Sequence, residues 1–191
     1  MKRFPVFVAL AALLLVACGA PSFRGSVLDE PVTVPDFALT DQDGGTFRLS
    51  DQQGNVVLLF FGYTSCPDVC PTTLATWRKV HEALGDDAER VRFVFVTVDP
   101  ERDTPERLGM HVRAFNPDFI GLTGAEEELQ PVYDFFKVVF EKDTSSGSAL
   151  DYLISHTATT FVLDTEGNWR LREPYGTEVD DLVYDIQQLL K

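Results

Sequence analysis

Two long apolar runs, separated by one amphipathic helical pattern, restrict the fold of this chain more than any other feature. The runs are "NVVLLFFGYT" and "VRFVFVTVDP". A run that is apolar at nearly every position is typical of a strand covered on both faces. Between the runs, Leu74, Trp77 and Val80 recur at helical spacing, and Gly85 is a suitable terminator. The order strand, crossover helix, strand predicts a parallel pair.

The remaining segments extend this α/β pattern. Alternating apolar and polar residues around Asp43-Gly44-Gly45 predict an N-terminal β-hairpin. Helices are predicted in "DTPERLGMHVRAFNPD", "AEEELQPVYDFFKVVF" and "EVDDLVYDIQQLLK", a loop in "DTSSGSALD", and a second hairpin in "TATTFVLDTEGNWRLREPYG". By the rules for packing layers of secondary structure, this order gives an α/β fold with helices on both faces of the sheet.

The N-terminus has the three parts of a secretory signal: two basic residues, an apolar run and small residues. "LVAC" resembles the lipobox of bacterial lipoproteins, which implies cleavage after residue 17 and a lipid on Cys18; an uncleaved anchor or an ordinary secretory signal are the alternatives. We therefore expect a signal peptide at 1–17, a tether at 18–33 and one domain at 34–191. The domain would lie on the extracytoplasmic face of a bacterial membrane, the periplasmic side of the inner membrane.

The charge of the chain argues against one class of partner. The formal net charge is −14, and no basic cluster follows the first three residues. Nucleic-acid binding depends on basic side chains that neutralise phosphates. We therefore expect no nucleic-acid partner.

The stretch "GYTSCPDVCPTTL" carries Cys66 and Cys70 between the first apolar run and the helix. Pro71 is tolerated only in the first turn of a helix, so the cysteines lie at its N-terminal end. The partial positive charge there is expected to lower the pKa of both thiols. A spacing of four favours a shared metal over a relaxed disulfide, although a reversible disulfide stays open.

A third ligand would have to come from the three histidines. His81 and His111 fall within helical patterns, where ordinary surface or partly buried roles are the better interpretation. His156 directly precedes an apolar strand and follows a polar loop, and its position alone favours a structural role over a ligand. A set of two cysteines and one histidine suits copper or zinc.

Three motifs together resemble the Sco/SenC family, copper-binding assembly proteins of cytochrome c oxidase with a thioredoxin-like fold. They are "TSCPDVCP", "VTVDPERDTPE" and "YLISHTATTFVLD", and the resemblance covers about residues 34–191. It implies a central mixed sheet with helices on both faces. The absence of a proline from "HTATTF" separates the chain from general thioredoxin-like reductases.

Residue by residue, the resemblance implies that Cys66, Cys70 and His156 bind one copper ion, as Cu(I) and as Cu(II). Asp99 and Asp103 match the acidic motif of the family. Either could simply end a strand or cap a helix, so neither is predicted as a ligand. Asp68 and Asp99 are candidates to support the ligands.

The leading functional hypothesis is a membrane-anchored, monomeric metallochaperone that helps build the CuA centre in subunit II of cytochrome c oxidase. Another periplasmic copper chaperone or a thioredoxin-like reductant would be a further partner. The alternative is an enzyme, a thiol–disulfide oxidoreductase that uses Cys66 and Cys70 as a redox-active dithiol to keep the CuA cysteines reduced. A third hypothesis is a peroxide or redox sensor, with one cysteine forming sulfenic acid and the other resolving it.

Overall fold

The computed structural model describes residues 22–144 and 152–191. The strands are β1 (Ser26–Thr33), β2 (Ala38–Asp41), β3 (Thr46–Arg48), β4 (Val56–Gly62), β5 (Val91–Thr97), β6 (Ile120–Thr123), β7 (Phe140–Asp143), β8 (Leu153–His156), β9 (Thr159–Leu163) and β10 (Asn168–Pro174). The helices are α1 (Val69–Leu84), α2 (Pro105–Arg113), α3 (Glu126–Phe136) and α4 (Val179–Leu189). Short 3-10 turns cover Leu49–Gln52 and Gly85–Arg90.

Eight strands form one mixed sheet in the order β1-β10-β9-β4-β5-β6-β2-β3. β4 pairs in parallel with β5, and β5 with β6, whereas the other neighbours are antiparallel. All seven residues of β4 are buried, which confirms the prediction from its continuous apolar run. The predicted parallel pair joined by α1 is therefore present at the centre of the sheet.

Helices cover both faces of this sheet, as predicted. α1, α2 and α4 pack their apolar sides into one core, whose largest side chain is that of Trp77. α3 packs into the core on the other face with Tyr133 and Phe136. The predicted hairpin is the β2–β3 pair, and Gly44 at its turn has a φ of 79°, a conformation that glycine adopts without strain.

The prediction of a tether over residues 18–33 is wrong for Ser26–Thr33. These residues form β1, which pairs with β10 at the edge of the sheet. The burial of β1 is slight, since seven of its eight residues are exposed. An edge strand of this kind is held by backbone hydrogen bonds, so its sequence lacks the apolar alternation that would have identified it.

Two further boundaries differ from the sequence prediction. The third helix, predicted to run to residue 140, ends at Phe136, where Lys137 takes a left-handed conformation with a φ of 54°. Phe140 instead begins β7, which pairs with β8 in a separate two-stranded sheet. The short strand β6 was also missed, because a strand of four residues carries little periodic signal.

The predicted signal peptide, the lipidation site Cys18 and most of the predicted loop at 143–151 lie outside the described residues. Among the helices of the described part, none combines the length and the apolar character needed to span a bilayer.

Candidate metal centre

The cysteine pair lies where β4 ends and α1 begins. Cys66 is in the connecting loop, and Cys70 is the second residue of α1 and fully buried. Pro71 lies in the first turn, as predicted, where its missing N–H breaks no helical hydrogen bond. Gly62 ends β4, and a Cβ atom at this position would lie 2.6 Å from Cys70 Sγ. The close packing of Cys70 and Phe95 against this position therefore leaves room only for a glycine.

His156 ends β8 and brings an imidazole to the cysteines. Its ring packs edge-on against Phe60 and Tyr63, with both centroid distances at 5.8 Å. Nδ1 lies 3.2 Å from the carbonyl oxygen of Thr157. Because a carbonyl can only accept a hydrogen bond, this contact assigns the proton to Nδ1. Nε2 is then the nitrogen with a free lone pair.

The three donor atoms converge on one point. Nε2 of His156 is 3.4 Å from Cys70 Sγ and 3.9 Å from Cys66 Sγ, and all three atoms lie within 4.8 Å of one another. Bonds of about 2.0–2.3 Å, as thiolates and imidazoles make to zinc, allow one ion to reach all three atoms. Within residues 22–144 and 152–191, no other set of three His, Cys, Asp or Glu side chains is arranged in this way.

The two thiols differ in acidity. Hydrogen bonds from the Cys70 thiol and from the backbone N–H groups of Asp68 and Cys70 lower the pKa of Cys66 to about 3, despite burial. Burial, reinforced by the neighbouring Cys66 sulfur, raises the pKa of Cys70. The prediction that the helix end lowers both pKa values is therefore wrong for Cys70, because desolvation outweighs the helix dipole. Asp68 itself is exposed, and its backbone N–H donates a hydrogen bond to the Cys66 sulfur.

Asp103 fixes the position of the cysteine loop through hydrogen bonds. It is fully buried and accepts hydrogen bonds from the backbone N–H and the hydroxyl of Thr64, at 3.0 and 2.6 Å, and from the Thr97 hydroxyl at 2.7 Å. The cap of α2 is Thr104, not Asp103. Asp103 therefore anchors the loop two residues before the first cysteine, a role that its place in the sequence did not indicate.

Asp99 belongs to a cluster next to the histidine strand. It is fully buried, pairs with Arg102 and accepts a hydrogen bond from the Tyr152 hydroxyl at 2.7 Å. Arg102 also donates to the Tyr152 carbonyl at 3.1 Å and lies 3.6 Å above the tyrosine ring. Because Tyr152 directly precedes β8, this cluster holds the start of the strand that carries His156.

The other two histidines lie in helices, where their sequence patterns placed them. His81 is in α1, 3.5 Å from the Asp118 carboxylate. His111 is in α2 and packs against Phe95 and Phe115, and burial lowers its pKa. Neither belongs to the group of three converging donors.

Tyr63 was missed by the sequence analysis. Its hydroxyl accepts a hydrogen bond from the Ile154 backbone N–H at 3.1 Å, and its carbonyl accepts one from the Cys66 N–H at 3.1 Å. The signal available in the sequence was weak: one aromatic residue with a hydroxyl, directly between a buried strand and the cysteine loop.

Comparison with known proteins identifies the family to which the chain is similar. The SCO1/SenC family model matches residues 26–191. A SCO2-like protein of Rickettsia felis is 37% identical over 156 residues, which make up 82% of this chain and 74% of the relative. In three further SCO2-like proteins of Rickettsia species, the match spans 65%, 65% and 66% of the relative's length.

Solved structures of Sco proteins share the fold. Apo Sco1 from Thermus thermophilus is 44% identical with a TM-score of 0.78, covering 88% of this chain and 98% of that one. ScoI of Bradyrhizobium japonicum, solved with copper bound, is 34% identical with a TM-score of 0.75, covering 83% and 100%. The thioredoxin-like fold implied by the three motifs is thereby confirmed. Because the family model matches residues 26–191, which include every helix and strand of the described residues from β1 to α4, this protein belongs to the SCO1/SenC family.

Proposed function

We propose that this protein binds one copper ion through Cys66, Cys70 and His156 and delivers it to the CuA centre of cytochrome c oxidase. The observation that carries the proposal is the convergence of two sulfurs and one imidazole nitrogen within 4.8 Å. The relative from Bradyrhizobium japonicum, which was solved with copper bound, supports copper as the metal.

The donor set suits a metal that changes oxidation state. Soft thiolates favour Cu(I), and imidazole is a good ligand for copper. The contact from Nδ1 of His156 to the Thr157 carbonyl orients the ring and keeps Nε2 available. Cys66 is already a thiolate, whereas Cys70 must give up its proton when the metal binds.

We infer the cellular setting from the N-terminal sequence. A lipid on Cys18 would hold the domain at the periplasmic side of the inner membrane, where subunit II of the oxidase exposes its CuA domain. The protein would act there as a monomeric carrier, loaded by another periplasmic copper chaperone.

A copper titration tests the proposal. The full chain with Cys18→Ser, purified in detergent and reduced, is titrated with Cu(II) and followed by absorption and electron paramagnetic resonance. We expect one tight equivalent with sulfur-to-copper charge transfer, lost or reshaped in His156→Ala. The matched control is His81→Ala, which removes a partly buried helical histidine and should leave the spectrum unchanged. Weak, nonspecific binding of Cu(II) by the parent protein and by both variants would contradict the proposal.

A second function, thiol–disulfide exchange, is favoured by the unequal acidity of the two cysteines. The Cys66 thiolate would attack a substrate disulfide and release one substrate thiolate. Cys70, after losing its proton, would then attack the Cys66 sulfur. The second substrate thiolate leaves, the substrate is reduced, and Cys66 and Cys70 end as a disulfide. Reduction of an oxidised CuA domain by His156→Ala at the wild-type rate would support this function.

A further inference from the structure

The hairpin that carries His156 is not part of the main sheet. β7 and β8 pair only with each other in the described residues, and the eight-stranded sheet does not include them. The cysteines, in contrast, follow β4 at the centre of that sheet. The histidine strand joins that sheet through Thr157 and Ala158, which lead into β9, the neighbour of β4. Within β8 itself no β-ladder reaches the cysteine loop, so side-chain contacts complete the placement of the imidazole against the two sulfurs.

Tyr63 contacts both the cysteine loop and the strand that carries His156. Its side chain is 1% exposed, and its hydroxyl accepts a hydrogen bond from the Ile154 N–H, two residues before the histidine. Its carbonyl accepts a hydrogen bond from the Cys66 N–H, and its ring meets the His156 ring at 87°. One rigid aromatic side chain thus spans the gap between the cysteine loop and the histidine strand.

We propose that Tyr63 is a positioning residue whose hydroxyl holds His156 at bonding distance from the two thiols and so sets how tightly the site binds Cu(II). This inference rests on the proposed function, since it concerns the same copper site. It adds to that function a residue that is not a ligand and that acts through the backbone of β8.

The two oxidation states of copper should respond differently to a loss of this hydroxyl. Cu(I) is held mainly by the soft thiolates, both of which lie on the side of α1 and do not depend on β8. Cu(II) depends more on the imidazole, whose position depends on the Ile154 to Tyr63 hydrogen bond. Loss of the bond should therefore weaken Cu(II) binding more than Cu(I) binding.

The test compares Tyr63→Phe with Tyr133→Phe. Tyr133 is a well-matched control, because it is 3% exposed and its hydroxyl also makes a buried hydrogen bond, to the Thr97 carbonyl at 2.6 Å in β5. Each substitution removes one buried hydroxyl and keeps the ring, so a general loss of stability should be similar in both. Of the two variants, only Tyr63→Phe removes a hydrogen bond to the histidine strand.

The measurements are Cu(II) and Cu(I) affinity by competition, and the Cu(II) paramagnetic resonance spectrum, in the full chain with Cys18→Ser. For Tyr63→Phe we expect a loss of Cu(II) affinity of about 10- to 100-fold, a changed spectrum and a much smaller loss for Cu(I). Tyr133→Phe should resemble the parent protein in its Cu(II) affinity, its Cu(I) affinity and its Cu(II) spectrum.

The outcomes separate this inference from the proposed function. If the parent chain binds no copper tightly, the proposed function fails. If the parent binds copper and Tyr63→Phe has the same affinities and spectrum, or shifts together with Tyr133→Phe, the positioning role is overturned while the copper site stands.

Discussion

Nε2 of His156 lies 3.4 Å from Sγ of Cys70, although the two residues are 86 positions apart in the chain. The sulfur comes from the first turn of α1, and the nitrogen from the end of β8. This contact unites a cysteine pair, whose spacing alone left a disulfide and a metal site open, with a third donor. The chemistry of the protein therefore depends on how the hairpin β7–β8 is held against the start of α1.

Replacement of Cys70 should abolish copper delivery. In Cys70→Ser a hydroxyl stands in place of a soft sulfur donor, and we expect copper affinity to fall on the order of 100-fold or more. Cells that carry this variant should assemble little CuA at limiting copper, as measured by the CuA absorption of purified oxidase. Addition of copper to the medium is the control for a general folding defect of the oxidase. Full assembly at limiting copper would contradict the carrier role.

The two cysteines should react very differently with alkylating reagents. The pKa of Cys66 is about 3, so its thiolate is present at pH 5, whereas the burial that raises the pKa of Cys70 keeps that thiol protonated. We expect iodoacetamide to modify Cys66 rapidly and almost independently of pH between 5 and 8. Mass spectrometry of peptides from the reduced, metal-free protein measures this, with Cys66→Ser to report Cys70 alone. Equal rates at both sites would refute the assignment.

Substitution of Asp103 should destabilise the domain without removing a ligand. In the parent protein, the Asp103 carboxylate accepts hydrogen bonds from Thr64 and Thr97. In Asp103→Asn, the amide N–H₂ group would face these donors and could not accept hydrogen bonds from them. A loss of about 2–4 kcal/mol in the free energy of unfolding is expected, because a buried charge-assisted network is broken. Urea unfolding measures this. The control, Asp118→Asn, changes an exposed carboxylate and should cost less than about 0.5 kcal/mol.

Glu173 should make the stability of the domain depend on pH. It is 2% exposed, neither carboxylate oxygen has a donor among the described residues, and burial beside the Asp185 carboxylate raises its pKa to about 8. Between the ordinary pKa near 4.5 and about 8, the folded state holds a proton that the unfolded chain releases. The contribution of this proton to the free energy of unfolding is therefore complete below pH 4.5, and it is lost as the pH rises towards 8.

The variant Glu173→Gln removes this titration and keeps the shape of the side chain beside Asp185. We expect it to be more stable than the parent by on the order of 2–3 kcal/mol at pH 7–8, with no gain at pH 4. Thermal unfolding across this pH range is the measurement. The control, Glu178→Gln, alters an exposed carboxylate and should follow the parent curve. A parallel shift of Glu173→Gln at every pH would show that its effect is not linked to a proton.

The sequence predicted those parts of the fold that have a local signal. The burial of β4 follows from seven successive apolar residues, and the start of α1 follows from a proline confined to the first turn. Elements without such a signal, among them β1, β6 and β7, were missed or misread. β1 is held by backbone hydrogen bonds at an exposed edge, and β7 follows a helix whose apolar pattern continues past its end.

The sequence by itself determined the α/β class, the two cysteines at the start of a helix and, through three motifs, the family and the candidate ligand His156. Tertiary structure alone decided that the imidazole reaches the sulfurs, that burial separates the pKa values of Cys66 and Cys70, and that Tyr63 joins the two halves of the site. The physical reason is distance along the chain. Local patterns record which side chains are buried, whereas ligand geometry and desolvation arise only when strands far apart in sequence pack together.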